Sequence, residues 1–100
     1  MLTDVWGNTV QLSPERAAHI MEHPEMQGQQ DKVSETLLEP DVVIQSKSDN
    51  TVRLSHRFYT GLVVGDKHLS VVVKYVEPHI FVITAYFTDK VKKGAILWKK

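Results

Sequence analysis

Apolar and polar positions alternate with two different periods along this chain, and the period changes near residue 41. Between residues 13 and 38, apolar side chains recur every three to four positions, which is typical of helices with one buried face. Beyond Asp41 they recur at every second position, which is typical of strands. The pattern predicts an α+β fold in which the helices precede most of the sheet.

Two helices are predicted in the first half of the chain. Ser13 is suited to cap a helix, and the proline after it fits the first helical position, which needs no N–H. This helix is expected to run from Pro14 to about His23, because Pro24 disfavours helical geometry in the residue before it. A second helix is expected from about Gln29 to Leu38, and Pro40 marks its end.

A hairpin and several strands complete the prediction. Gly7-Asn8 is a plausible turn between short strands at Asp4–Trp6 and Thr9–Leu12. Later turns are expected at Ser48–Asn50, Gly65-Asp66 and Glu77-Pro78. The strands between them are Val42–Gln45, Thr51–Tyr59, His68–Val76, His79–Thr88 and Ala95–Trp98. We therefore expect one domain over residues 1–100, with the hairpin and two helices packed on one face of an antiparallel four- to five-stranded sheet.

Composition narrows the classes of protein to consider. The chain is 42% hydrophobic and 24% charged, as in ordinary globular domains. Its 12 basic and 12 acidic residues cancel, which argues against coating nucleic acid by bulk charge, although the acids dominate up to Asn50 and the bases after it. It has no cysteine, no long apolar run and no secretory signal, so we expect a cytoplasmic protein without a membrane partner.

The segment HIFVITAYFT (His79–Thr88) combines an apolar side with a hydroxyl-rich one. Its odd positions are expected to face the core as a continuous apolar row: Phe81, Ile83, Ala85 and Phe87. The other side ends in Thr84, Tyr86 and Thr88, which place three hydroxyls in a line. An ordinary solvent-facing strand would also show this pattern, since Thr and Tyr are common in strands.

Two cations on neighbouring strands are expected to point to the same side as these hydroxyls. Lys74 interrupts an apolar run, VVVKYV, where a charge is unfavourable unless it reaches water or a partner. Arg57 offers a planar fork for phosphate oxygens, whereas Lys74 offers a point charge. Together with the hydroxyls they predict a phosphate-binding site.

The segment HIMEH at residues 19–23 has three interpretations. It matches the H-x-x-E-H signature of one class of zinc peptidases, but Pro24 distorts the helix at the second histidine. A zinc site would also need a third ligand, for which the candidates are Glu35, Glu39 and Glu77. The second interpretation is a pair of exposed histidines near a helix C-terminus. The third is acid–base chemistry, because an imidazole with a neighbouring carboxylate transfers protons near neutral pH.

The ordered set of motifs resembles a known family. The segments are LSPERAAHIMEHPEM at 12–26, PDVV at 40–43, RFY at 57–59, VVVK at 71–74, FVITAYFT at 81–88 and ILW at 96–98. They are similar to the phage-associated branch of the barnase–EndoU–colicin–RelE nuclease superfamily. The resemblance implies a helical part on an antiparallel sheet and metal-independent cleavage of RNA. The chain departs from the family pattern at Ala18 and Glu22, where an aromatic residue and a second base are expected.

The leading hypothesis is a metal-independent endoribonuclease, as a toxin or phage-derived effector, with RNA and a protein inhibitor or antitoxin as partners. No metal and no cofactor are expected. The expected catalytic residues are His19, His23 and Tyr86, and the expected substrate-binding residues are Arg57, Lys74, Thr84 and Thr88. The alternatives are a non-catalytic module on the same fold that binds protein or nucleic acid, and a zinc hydrolase.

Overall fold

The computed structural model describes residues 2–100, which form a short hairpin, two α-helices and a five-stranded antiparallel sheet. The elements are β1 Leu2–Thr3, β2 Thr9–Val10, α1 Pro14–Met21, α2 Gln30–Leu38, β3 Val42–Gln45, β4 Val52–Leu62, β5 Gly65–Val76, β6 His79–Thr88 and β7 Ile96–Lys99. A single 3₁₀ turn, Pro24–Met26, joins the two helices. The predicted α+β fold class is confirmed.

The order of strands in the sheet is β6-β5-β4-β3-β7, so β6 and β7 are its two edges. Consecutive strands from β3 to β6 pair as antiparallel neighbours, whereas β7 pairs with β3 on the opposite edge from β6. Residues 89–95 must therefore cross the full width of the sheet. We call this segment the strap.

The helices cover one face of the sheet, which we call the helix face. Both helices contribute buried apolar residues to a core with the hairpin, β5 and β6. The buried members are Val10, Ile20, Met26, Val33, Leu37, Leu69, Val71, Val73, Ile80, Val82 and Ala85. We call the opposite side the far face; its residues include Ile44, Leu54, His56, His68, Ser70, Thr84, Tyr86 and Thr88.

A bulge in the β5–β6 pair corrects the apolar row predicted for β6. Val72 pairs with Thr84, but Val73 pairs with Val82, so Ile83 is an extra residue without a partner. Because of this extra residue, the even-numbered side chains before the bulge and the odd-numbered side chains after it lie on the same face of the sheet. Ile80 and Val82 face the core in place of the predicted Phe81 and Ile83, and only the second half of the row was assigned correctly.

The hairpin is present at the predicted end of the chain, but its first strand is Leu2–Thr3 and not the predicted Asp4–Trp6. β1 precedes Asp4, and residues 4–8 form the loop that was partly predicted as a strand. The Asp4 carboxylate accepts hydrogen bonds from the backbone N–H of Trp6 at 3.0 Å and of Asn8 at 2.7 Å, and from the Tyr75 hydroxyl at 2.7 Å. This buried aspartate fixes the loop and fastens it to β5.

Other boundaries differ by a few residues. Ser13 caps α1 by accepting from the Arg16 backbone N–H at 3.2 Å, as predicted, but the α-helix ends at Met21 rather than His23. The turn between β4 and β5 lies at Val63-Val64, not at the predicted Gly65-Asp66, so both strands are longer than expected. None of the helices within residues 2–100 has the length and apolar character needed to cross a membrane.

Candidate site on the far face

The far face brings polar side chains from three strands into adjacent rows. In one row His56 of β4 pairs with Ser70 of β5, which pairs with Tyr86 of β6. In the next row Phe58 pairs with His68, which pairs with Thr88. Because cross-strand partners on one face lie side by side, these rows form a continuous patch of imidazole and hydroxyl groups. Thr84 follows on the other side of Tyr86, opposite Val72.

His56 and Ser70 form the buried centre of this patch. Both residues have no exposed surface. Neither ring nitrogen of His56, nor the Ser70 hydroxyl, has a hydrogen-bond partner among residues 2–100. Burial is the main cause of the lowering of the pKa of His56 to about 4, and the nearby His68 and Lys92 contribute to the same shift. His56 is thus a neutral imidazole near pH 7, with one nitrogen able to donate and the other to accept.

His68 is the more accessible histidine of the patch. Its ring stacks on Phe58 with 4.9 Å between ring centroids and 58° between the ring planes. The side chain is half-buried, and its Nδ1 atom has no hydrogen-bond partner in the described part of the chain. Stacking on Phe58 restricts the orientation of the ring.

The two lysines of β5 form ion pairs with aspartates. Lys74 Nζ lies 2.7 Å from Asp49 Oδ2 in the turn before β4, and Lys67 forms an ion pair with Asp89 at the start of the strap. Hydrogen bonds from Lys74 and Thr51 hold the pKa of Asp49 well below its usual value. By contrast, no ion pair within residues 2–100 involves the exposed strap lysines Lys90, Lys92 and Lys93. These three cations are available to an anionic ligand, as is the exposed Lys47, which lines a recess with Lys92 and Lys93.

The expectation that Arg57 and Lys74 share a face with the hydroxyls is wrong for Arg57. Arg57 pairs with Leu69, whose side chain lies in the core on the helix face. Lys74 is an even number of positions from His68 and Ser70 on β5, so it lies on the far face with them. The reason is strand alternation: the rows that contain Arg57 and Lys74 are five positions apart in register, an odd number that places them on opposite faces.

On the helix face, Arg57 connects β4 to the end of α2. Its Nη1 atom donates to the Glu39 carbonyl oxygen at 2.6 Å, and its Nε atom is 3.5 Å from Glu35 Oε1. Its guanidinium carbon also lies 5.7 Å from the centroid of the Tyr59 ring. The Tyr59 hydroxyl is in turn 3.1 Å from Thr36 Oγ1. These contacts make Arg57 a structural residue of the α2–β4 junction.

The two predicted catalytic histidines belong to α1 and the segment after it. His19 Nδ1 lies 3.0 Å from Glu22 Oε2, and both side chains are well exposed, at 60% and 69%. His23 follows the helix with extended backbone angles, so it is not on the same helical face as His19. Within residues 2–100 neither histidine hydrogen-bonds to the far face, and no cluster of three or more potential metal-ligating side chains is found.

The arrangement thus brings together Thr84, Tyr86 and Thr88, with Lys74 further along the same face, and leaves His19, His23 and Arg57 elsewhere. His56, His68 and Ser70 were missed. A signal exists in the sequence for His56, which interrupts the apolar positions Leu54 and Phe58, whereas His68 and Ser70 alternate with apolar residues as on any solvent-facing strand. Comparison of the chain with protein-family models, with curated proteins and with solved structures finds no match.

Proposed function

We propose that this chain is a metal-independent endoribonuclease that cleaves RNA on the far face of its sheet. The observation that supports this most directly is that His68 and Tyr86 are diagonal neighbours on adjacent strands. Diagonal neighbours in an antiparallel pair have Cα atoms roughly 7–8 Å apart. That spacing leaves room for one phosphate group between the imidazole and the phenol.

In the proposed reaction, His68 accepts the proton of an RNA 2′-hydroxyl while the 2′-oxygen attacks the adjacent phosphorus atom. The bond between phosphorus and the 5′-oxygen breaks, and Tyr86 donates its proton to that oxygen. The products are a cyclic 2′,3′-phosphate end and a 5′-hydroxyl end, and proton exchange with water returns both side chains to their starting states. Thr84 and Thr88 flank Tyr86 and supply hydrogen bonds to phosphate oxygens, and Lys92 supplies positive charge.

The proposal extends to the biological setting expected from the sequence motifs. It includes membership in the phage-associated branch of the barnase–EndoU–colicin–RelE superfamily, for which the order of the motifs is the support. It also includes action in the cytoplasm as a toxin or phage-derived effector, restrained by a protein inhibitor or antitoxin. The catalytic role of His19 and His23 stays a prediction that the same assay tests.

The test is cleavage of end-labelled RNA, both single-stranded and hairpin, by purified protein in excess EDTA. We expect His68→Ala and Tyr86→Phe each to lower the cleavage rate by about 100-fold or more, because each removes a proton-transfer group. His79→Ala is the matched control, since His79 is exposed and lies at the opposite end of β6. Intact RNA with the wild-type protein, or full activity in His68→Ala, contradicts the proposal; loss of activity in His19→Ala or His23→Ala alone moves the site to α1.

A second candidate function is a non-catalytic module that binds RNA or protein through the same face. Its support is that Lys67 and Lys74, the two lysines of β5, are both paired with aspartates, and that the chain has zero net charge. This candidate predicts binding without turnover. Fluorescence anisotropy with labelled RNA would then show weaker affinity for a Lys92→Ala/Lys93→Ala variant, while no cleavage is seen for any variant.

A further inference from the structure

The strap passes over the far face rather than the helix face. Three observations place it there: an added Cβ at Gly94 would lie 2.7 Å from the Ile44 side chain, Lys92 and Lys93 line a recess with Leu54, and Lys92 is near enough to affect the pKa of His56. Ile44, Leu54 and His56 are all buried although no helix covers them. The strap is therefore what excludes water from this part of the far face.

The strap is fastened at its two ends and not in its middle. At one end Lys67 pairs with Asp89, and at the other the Gln45 backbone N–H donates to the Ala95 carbonyl oxygen at 2.9 Å. Between these anchors, residues 91–94 make no backbone hydrogen bond to the rest of residues 2–100. Segments with few backbone hydrogen bonds and exposed side chains open at low cost compared with a sheet.

Beneath the strap lie His56 and Ser70, two fully buried polar side chains without a hydrogen-bond partner within residues 2–100. Burial of a polar group without a hydrogen bond is unfavourable, so movement of the strap that admits a polar ligand or water to these groups is favoured by their hydration. Apolar side chains alone would give no such gain. The position of His56 and Ser70 next to Tyr86 also continues the row in which the proposed reaction occurs.

We propose that the strap is a movable cover, and that His56 and Ser70 form an inner part of the far-face site that substrate reaches only when the cover lifts. The identity of the substrate as RNA rests on the proposed function; the movement does not. When the strap lifts, the His56 imidazole and Ser70 hydroxyl are able to hydrogen-bond to phosphate or ribose oxygens, and the strap lysines are positioned to close over the RNA backbone.

The movement is tested by the rate at which diethyl pyrocarbonate modifies each histidine, followed by mass spectrometry without RNA. His79, which is exposed, serves as the internal reference. In the Gly94→Ala variant the added methyl group meets both the Gln45 carbonyl oxygen and the Ile44 side chain, so the strap should pack less closely on β3 and the rate at His56 should rise by about tenfold. A Ser46→Cys/Lys93→Cys variant joined by a short bismaleimide locks the strap, because both positions line the same recess and the chain has no other cysteine. It should lower the rate at His56 by a similar factor.

Thr60→Ala, at an exposed position of β4, is the matched control and should leave the rate at His56 unchanged. Amide hydrogen exchange in β4 and β5 distinguishes strap opening from unfolding, since those amides stay protected when only the strap moves. If the modification rate at His56 is the same with and without the cross-link, the proposal that the strap is a movable cover is wrong. If the rates respond as expected but no variant cleaves RNA, the cover stands and the proposed function fails.

Discussion

His56 and Ser70 lie directly opposite each other on β4 and β5, and neither side chain hydrogen-bonds to any residue within 2–100. Buried polar groups in folded proteins are nearly always paired, so two unpaired neighbours at one place are unusual. They lie under the only part of the described chain that crosses the far face. Within residues 2–100, four of the six buried side-chain polar atoms without a partner belong to His56, His68 and Ser70, and the other two are Gln29 Oε1 and Arg57 Nε.

Acid should destabilise the protein through His56. The folded state keeps this ring neutral down to about pH 4, whereas the unfolded chain binds a proton near pH 6.5, so unfolding takes up a proton between these values. The contribution of the neutral ring to the free energy of unfolding is therefore full above pH 6.5 and is lost as the pH falls from 6.5 to about 4. We expect a loss of about 2–4 kcal/mol, measured by urea unfolding at several pH values. His56→Leu should flatten the dependence, and His79→Leu should not; equal slopes for both variants would contradict the prediction.

Asp4 should contribute more to stability than any single hydrogen bond it accepts. Asp4→Ala removes the acceptor for the loop N–H groups and for Tyr75, and we expect it to lower the free energy of unfolding by about 2–3 kcal/mol. Tyr75→Phe removes only one of these bonds and should cost about 1 kcal/mol. Denaturant unfolding of both variants and of their combination measures the coupling. Equal costs for the two single variants would show that the loop bonds contribute nothing.

Arg57 should matter for folding and not for RNA. Because its guanidinium holds the end of α2 against β4 on the helix face, Arg57→Ala should lower the free energy of unfolding by about 1–2 kcal/mol. RNA affinity, measured by anisotropy under conditions where the variant is folded, should be unchanged. A large loss of affinity with little loss of stability would restore Arg57 as the phosphate-binding residue expected from the sequence.

The ion pair between Lys74 and Asp49 should be visible in the titration of the aspartate. Lys74→Met removes the strongest cause of the low pKa of Asp49, so this pKa should rise toward its usual value. Lys47→Met is a matched control from the same turn region, with no ion pair to Asp49. Carboxyl ¹³C shifts followed by NMR over a pH series report the change. A similar rise in both variants would indicate a general effect of charge and not the pair.

Much of the fold follows from periodicity in the sequence. The change from helical to strand spacing near Asp41, the Ser13 cap and the hydroxyls of β6 depend on local sequence, and the structure has them where they were expected. The order of strands was not predictable in this way, because local pattern does not say that β7 pairs with β3 and not with β6. The strap and the burial of His56 depend on that order.

The errors at the candidate site have the same origin. Whether Arg57 and Lys74 share a face depends on the register between β4 and β5, and whether Phe81 faces the core depends on one bulged residue in β6. Neither register nor bulge has a strong signal in a strand with apolar residues on both sides. His56 was missed because its burial depends on the strap, which local sequence does not predict.

The close packing of Gly94 against β3 predicts which substitutions related sequences can accept. A side chain of any size at this position would meet the Gln45 backbone and the Ile44 side chain, whereas the neighbouring Lys92 and Lys93 are exposed. Natural variants that keep the strap seated on β3 should therefore be invariant at position 94 and free to diverge at the lysines. A smaller residue at position 44 would relieve only the contact with that side chain and not the one with the Gln45 carbonyl oxygen, so a change at 44 should not make a larger residue at 94 acceptable.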